Sequence, residues 1–248
     1  MKIVFLTDSH FDASTESLQR EREMCGFLDS LKGNTDMLVL LGDMFDFWFT
    51  YSRVVPRGHT RLLGKLAELA DSGIDIHYFV GNHDMWLFDY LQQEIGAHMH
   101  LDPVEMDLDG KRFLIGHGDG LGHLDHTYDV LRWVFRNPIN QRLFSWLPSR
   151  LTMGIALAWS RHSRQSHKSD TLQYLGDENE GIVVHCRQIL ADHPLDYCVF
   201  GHRHTPLVRT ITATNGHQAQ YVNVGDWLNH RNYAVYQQGN ITLHEWPI

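Results

Sequence analysis

Five short apolar runs in this chain each end in a loop rich in Gly, Asp, Asn and His. Ile3–Leu6 leads into Asp8-Ser9-His10, and Met37–Leu41 into Gly42-Asp43-Met44-Phe45-Asp46. Ile76–Val80 leads into Gly81-Asn82-His83-Asp84, and Phe113–Ile115 into Gly116-His117-Gly118-Asp119. Tyr197–Phe200 leads into Gly201-His202-Arg203-His204. Apolar runs of this length, rich in Val, Ile, Tyr and Phe, predict buried strands. In open α/β sheets, ligands bind beyond the carboxyl ends of the strands. Residues far apart in sequence are therefore expected to converge on one site.

Amphipathic helices are expected between the strands. Residues 15–32 place Leu18, Cys25, Leu28 and Leu31 near one stripe and stop at Gly33. Residues 59–72 group Leu62, Leu63, Leu66 and Leu69 and stop at Gly73, and residues 180–193 form a third helix. A glycine just past the last periodic residue ends a helix. With a further strand at Tyr221–Val224, the order predicts an α/β fold with two packed sheets. The 248 residues can bury a substantial core and are read as one domain, 1–248.

The loop donors predict metal chemistry. Asp-x-His and His-x-His set two donors on one side of an extended segment, because side chains alternate with period two. The set mixes imidazole, carboxylate and amide oxygen without thiolate, which suits Mn, Fe, Zn or Co in a two-metal site. Asp43, on a central strand, is the candidate bridge. The chain carries 18 His, and five of them, at 10, 83, 117, 202 and 204, lie in these loops. Cys25, Cys186 and Cys198 form no Cys-x-x-Cys pair, which excludes a zinc ribbon, and Cys186 is expected as a buried thiol. Gly58 to Lys65 is not a P-loop, because Leu66 stands where Ser or Thr is required.

One stretch departs from the strand–helix rhythm. Residues 130–169 hold seven of the 21 Lys+Arg and none of the 30 Asp+Glu, together with Trp133, Phe135, Phe144, Trp146 and Trp159. Pro138 and Pro148 are expected to divide it into short helices. The net charge of -9 argues against a polyanionic partner such as nucleic acid for the chain as a whole, but not for this stretch. Cations rimming large apolar groups suit a phosphorylated lipid.

In order, Asp-x-His, Gly-Asp-x-x-Asp, Gly-Asn-His-Asp, Gly-His and Gly-His-x-His resemble the calcineurin-like metallophosphoesterase superfamily from Asp8 to His204. The resemblance implies a four-layer αββα sandwich. It implies one metal held by Asp8, His10, Asp43 and His204, and another by Asp43, Asn82, His117 and His202. Within the superfamily, Gly42-Asp43-Met44-Phe45-Asp46-Phe47-Trp48, Asp125-x-x-Tyr128 and the helical stretch followed by Ser163 and Lys168 are similar to the UDP-2,3-diacylglucosamine diphosphatase family of lipid A biosynthesis. That likeness implies a helical lid insertion at about 122–175 that takes two acyl chains. It implies Mn2+-dependent attack of water on the α-phosphorus, giving UMP and 2,3-diacylglucosamine 1-phosphate. Asp43 and His83 are then catalytic, and Asn82, His83, Asp125, Tyr128, Arg161, Ser163, Arg164 and Lys168 bind substrate. His83 stands where Arg is usual in that family and follows the general superfamily pattern, contacting phosphate or protonating the leaving group.

The expected partners are a lipid-linked sugar nucleotide and the inner face of a membrane, with no nucleic acid and no obligate protein partner. The expected location is cytoplasmic and peripheral. No run approaches the roughly 20 apolar residues of a spanning helix, and the opening apolar run is too short for a signal-peptide core. Two other readings are a two-metal phosphodiesterase or nucleotide pyrophosphatase for a soluble substrate, and a catalytically idle, membrane-docked binding protein.

Overall fold

The computed structural model describes every residue except 13, 123–125, 172–173 and 248, and every side chain except, in addition, those of 126–127 and 161–171. In chain order the first elements are β1 (Lys2–Leu6), α1 (Thr15–Asp29), β2 (Met37–Leu40), α2 (Thr60–Asp71) and β3 (Asp75–Phe79). Next come α3 (Tyr90–Ile95), β4 (His98–His100), β5 (Val104–Leu108) and β6 (Lys111–Gly116). Three consecutive helices follow: α4 (His126–Arg136), α5 (Pro138–Trp146) and α6 (Ser149–Thr171). The chain then runs through α7 (Gly181–Asp192), β7 (Tyr197–Phe200), β8 (Leu207–Thr212), β9 (Gln218–Asn223), β10 (Asn232–Gln237) and β11 (Asn240–Glu245).

The strands form two sheets, ordered β11-β10-β1-β2-β3-β4 and β5-β6-β7-β9-β8. Strand alternation sorts their side chains into three cores. Ile3, Phe5, Val39 and Phe79 meet Phe113, Ile115, Val199 and Val222 between the sheets. Val4, Leu6, Leu38, Leu40, Ile76 and Tyr78 point the other way, against Met24, Phe27 and Leu28 of α1 and Leu62, Leu66 and Leu69 of α2. Leu114, Cys198, Phe200 and Tyr221 meet Ile182, Val183, Cys186 and Leu190 of α7. The layers are thus helix, sheet, sheet, helix, as the resemblance implied, and Cys186 is buried as expected.

Two expectations are corrected. The buried face of α1 is Ser17, Arg20, Glu21, Met24, Phe27 and Leu28, whereas Leu18 is exposed and Cys25 only partly covered. Polar residues lie on the inner face because they serve the loops. Ser17 accepts from the Asp12 amide, Arg20 donates to the His10 carbonyl, and Glu21 meets His59. The second correction concerns 130–169. Helices start at Pro138 and just after Pro148, where a missing N–H costs nothing. The last of them is not short, because α6 runs 23 residues.

Candidate metal centre

β1, β2, β3, β6 and β7 all deliver their C-terminal ends to one place. β1 pairs in parallel with β2, and β2 with β3. β6 pairs in parallel with β7 in the facing sheet. The chain leaves these strands in unusual conformations. Asp8, His10, Asp43, His202 and His204 all have positive φ, between 45° and 66°. Non-glycine residues adopt this region at a cost, and such strain collects at functional sites. Close approach of the loops needs glycine at two points. A Cβ on Gly81 would collide with the Asp43 carboxylate, and one on Gly201 would collide with Thr7 and the Asp8 carboxylate.

The donors then converge. His10 Nε2 lies 3.7 Å from Asp8 Oδ1 and 3.8 Å from Asp43 Oδ2. His204 Nε2 lies 3.2 Å from the same Asp8 oxygen. His117 donates its Nδ1–H to the Leu41 carbonyl at 2.7 Å, which turns Nε2 toward Asp43 Oδ2 at 3.4 Å and Asn82 Oδ1 at 3.3 Å. The other oxygens of the two central carboxylates are held by backbone. The His83 amide donates to Asp43 Oδ1 at 2.8 Å, and the His202 amide donates to Asp8 Oδ2 at 2.8 Å. Asp43 therefore turns Oδ2 toward His10 on one side and His117 on the other. The His202 ring stands edge-on to His117 at 5.1 Å.

This arrangement fits divalent cations. Asp8 Oδ1 and both ring nitrogens of His10 are buried without a hydrogen bond. Leaving such groups unmet is costly, and a cation at the convergence point would satisfy them together. The oxygen and imidazole donors suit a borderline transition ion. Without a cation, protons answer the same field. Burial opposes charge on His204, but Asp8 and Asp226 outweigh it and hold its pKa up at about 10. Burial likewise opposes charge on His117, and Asp43 lifts it well above the imidazole range. His202 goes the other way, to about 4, through burial and the neighbouring His117. Burial and the charge on His10 hold His83 low against the pull of Asp43 and Asp46.

A surrounding layer orients these groups. Asp84 accepts from the amides of Met44 and Gly81 and from the Tyr78 hydroxyl, tying the second and third loops together. Burial and the neighbouring Asp43 raise its pKa to about 6. Asp226 Oδ2 sits 3.5 Å from His204 Nδ1. A carboxylate behind a ligand imidazole fixes its tautomer. Asp226 was not singled out from sequence, although Gly225-Asp226 follows the strand run at 221–224 just as Gly42-Asp43 follows its own.

Ser160 was also missed. It is buried on α6, donates to Asp46 Oδ1 at 2.7 Å and meets His83 Nδ1 at 2.8 Å. A serine among seven cations and many aromatics carries no sequence signal. Other contacts tie the three helices down. Phe144 packs on Trp86 and Phe49, with ring centroids 4.6 and 4.9 Å apart. Arg132 and Arg136 both pair with Asp102, so these two cations are already matched by a carboxylate. Outward, the helices leave large apolar groups exposed, among them Trp133, Ile139, Trp146, Ile155 and Trp159. No described helix is long and apolar enough to cross a membrane.

The structure thus brings together Asp8, His10, Asp43, Asn82, His117, His202 and His204, with His83 beside Asp43. Tyr128 sits nearby, its hydroxyl donating to Asp119 and its ring over Gly120. Asp125 lies outside the described residues. Arg161, Ser163, Arg164 and Lys168 fall in α6, but their side chains are outside the described set.

A family model described as calcineurin-like phosphoesterase matches residues 1–206. The chain is 36% identical over 256 residues to a UDP-2,3-diacylglucosamine hydrolase of Porphyromonas gingivalis, covering 98% of this chain and 96% of that protein. It is 30% identical over 232 residues to the protein of the same name from Yersinia enterocolitica, covering 92% and 91% of the two chains. Among solved structures, an archaeal phosphodiesterase shares 14% identity over 99% of both chains, with a TM-score of 0.47.

Proposed function

Because this chain belongs to the calcineurin-like phosphoesterase family, and is a hydrolase whose family implies divalent metal ions, we propose that it hydrolyses the pyrophosphate bond of UDP-2,3-diacylglucosamine. The products are UMP and 2,3-diacylglucosamine 1-phosphate, an intermediate of lipid A synthesis. The observation that carries this reading is the Ser160 contact. A helix with exposed Ile155 and Trp159 reaches Asp46 and His83 through the buried Ser160. An apolar surface is thereby tied to a phosphate-handling centre, as a lipid with a diphosphate head requires.

In this reading residues 1–248 are one metallophosphoesterase domain, and the helices within 122–175 form a lid. Asp8, His10, Asp43 and His204 hold one Mn2+, and Asp43, Asn82, His117 and His202 hold the other. When bound, such ions supply Lewis-acid stabilisation of phosphoryl charge and a nucleophilic water at neutral pH. The chain supplies the orientation. Asp43 is fixed by the His83 amide at Oδ1, which leaves Oδ2 turned toward His10 and His117, where it would help hold the metal. His83, with Nδ1 held by Ser160 and the Asp46 carbonyl, keeps its ring in place beside the centre. Phosphate charge next to it favours a proton at Nε2, which can steady that charge or pass to the leaving group. Asp125, Tyr128, Arg161, Ser163, Arg164 and Lys168 bind the sugar-phosphate end, and the apolar lid groups take the acyl chains. The enzyme works in the cytoplasm, peripheral on the inner face of the membrane.

The test compares turnover of UDP-2,3-diacylglucosamine and UDP-glucose by chelator-treated protein restored with Mn2+. Preference for the acylated substrate is expected, and equal turnover would refute a lipid-selective enzyme. Asp43→Ala should lower turnover by about a thousandfold or more while the folded circular-dichroism spectrum persists. Robust hydrolysis by that variant would sink the two-metal reading.

A further inference from the structure

A second group of metal-binding side chains lies at the opposite end of β3. Asp75 and His77 are on β3, and His98 and His100 are on β4, the edge strand of its sheet. The strands pair in parallel with His77 opposite His98 and Phe79 opposite His100. Alternation sends Ile76 and Tyr78 to the helix side, so Asp75 and His77 share the other face. Asp75 Oδ2 lies 3.2 Å from His77 Nε2, and Asp75 Oδ1 lies 3.3 Å from His98 Nε2. All three residues offer a donor atom within 4.8 Å of the others.

We propose that Asp75, His77 and His98 form a site for a borderline transition ion of the zinc class, separate from the catalytic centre. Donors bonded at about 2.0–2.1 Å to a tetrahedral ion stand about 3.3 Å apart, and each imidazole lies 3.2–3.3 Å from an Asp75 oxygen. Two imidazoles and a carboxylate favour Zn2+ over Mg2+ or Ca2+, and leave a fourth position for water. The partner that a ligand histidine needs on its far nitrogen is also present. His77 Nδ1 lies 2.9 Å from His100 Nε2, and His100 stacks on Phe79 with centroids 4.5 Å apart. With His77 Nδ1–H donated to His100, Nε2, which otherwise bonds Asp75 Oδ2 at 3.2 Å, would present its lone pair to the ion.

From His77 to Asn82 is five residues, or roughly 16 Å of extended chain, so the ion would not share donors with the catalytic set. It would clamp the three-residue edge strand β4 to β3. That strand leads directly to Asp102, the carboxylate that pairs with Arg132 and Arg136 of α4.

The experiment uses the untagged full chain saturated with Mn2+. Zinc bound at equilibrium is counted by dialysis and elemental analysis, with calorimetric titration in parallel, for wild type, His98→Ala and Asp75→Asn. His98 and Asp75 are both exposed, and Mn2+-dependent hydrolysis should be retained as a check on folding. Any zinc that exchanges into the catalytic centre does so equally in all three proteins. Wild type is expected to bind one more zinc than either variant and to gain thermal stability from it. Equal zinc stoichiometry and affinity in all three proteins would overturn the site.

Discussion

The Ser160 hydroxyl donates to the Asp46 carboxylate at 2.7 Å across 114 residues of chain, and the same oxygen meets His83 Nδ1. One buried side chain thus serves two polar groups. Ser160→Ala leaves Asp46 and His83 each short of a partner, a loss of about 1–3 kcal/mol. The melting temperature should fall by a few degrees. Hydrolysis should fall by roughly tenfold with Mn2+ affinity nearly unchanged, because no direct donor is lost. A parallel collapse of Mn2+ affinity in calorimetry would show that Ser160 supports the metal ligands rather than His83.

The metal-free centre should be sensitive to pH in a definite direction. His204 titrates near 10 in the fold, against about 6.5 in an unfolded chain. A raised imidazole contributes stability that is complete below about 6.5 and is lost as pH rises through about 10. His10 and His117 are shifted upward too. Chelated protein should therefore melt at falling temperature between pH 7 and 9. With Mn2+ bound the ions replace those protons, so the slope should flatten, and Mn2+ affinity should rise with pH over the same range. Scanning calorimetry on both forms measures this. Identical slopes would rule out proton–metal exchange at these residues.

Trp159 and Ile155 are more than half exposed on α6. If they take up an acyl chain, Trp159→Ser removes about 1.5 kcal/mol or more of apolar contact, roughly tenfold in binding. The KM for UDP-2,3-diacylglucosamine should rise by that factor, while hydrolysis of a water-soluble phosphodiester stays the same. Equal losses on the two substrates would point to a folding defect instead.

Gly81→Ala tests the close packing of the loops. The added Cβ would meet the Asp43 backbone nitrogen at 2.6 Å as well as its carboxylate. The second and third loops would have to separate, at a cost of about 1–3 kcal/mol. Activity and Mn2+ affinity should be lost together. Wild-type affinity in Gly81→Ala would mean that the approach of these loops is not required for metal binding.

Much of this was legible in sequence because the chemistry is adjacent to the strands that carry it. Donors and glycines follow each central run directly, so reading past Leu41 or Val80 finds Asp43 or Asn82 without knowing the sheet order. Strands covered on both faces were found for the same reason. β5 was not. It alternates, as in Val104-Glu-Met-Asp-Leu108, and a search for continuous apolar runs passes over it. The inner face of α1 was misread because Ser17, Arg20 and Glu21 are buried for their hydrogen bonds and not for apolarity. Asp226 repeats the strand-then-Gly-Asp pattern and could have been read. Ser160 could not, since only the position of α6 over the site gives it a role.

The left-handed backbone at Asp8, His10, Asp43, His202 and His204 has a consequence for descent. At each of these positions glycine would be the more comfortable backbone, so beyond the amide bonds that Asp8 and Asp43 accept from His202 and His83 the architecture gains little by keeping an aspartate or a histidine there. Selection for folding alone would erase the ligands one by one and leave the sandwich standing. A descendant that no longer needed the chemistry would therefore be expected to keep this shape long after its metals were gone, so shared shape is poor testimony of shared activity among distant kin, and the ligands themselves are the better witness.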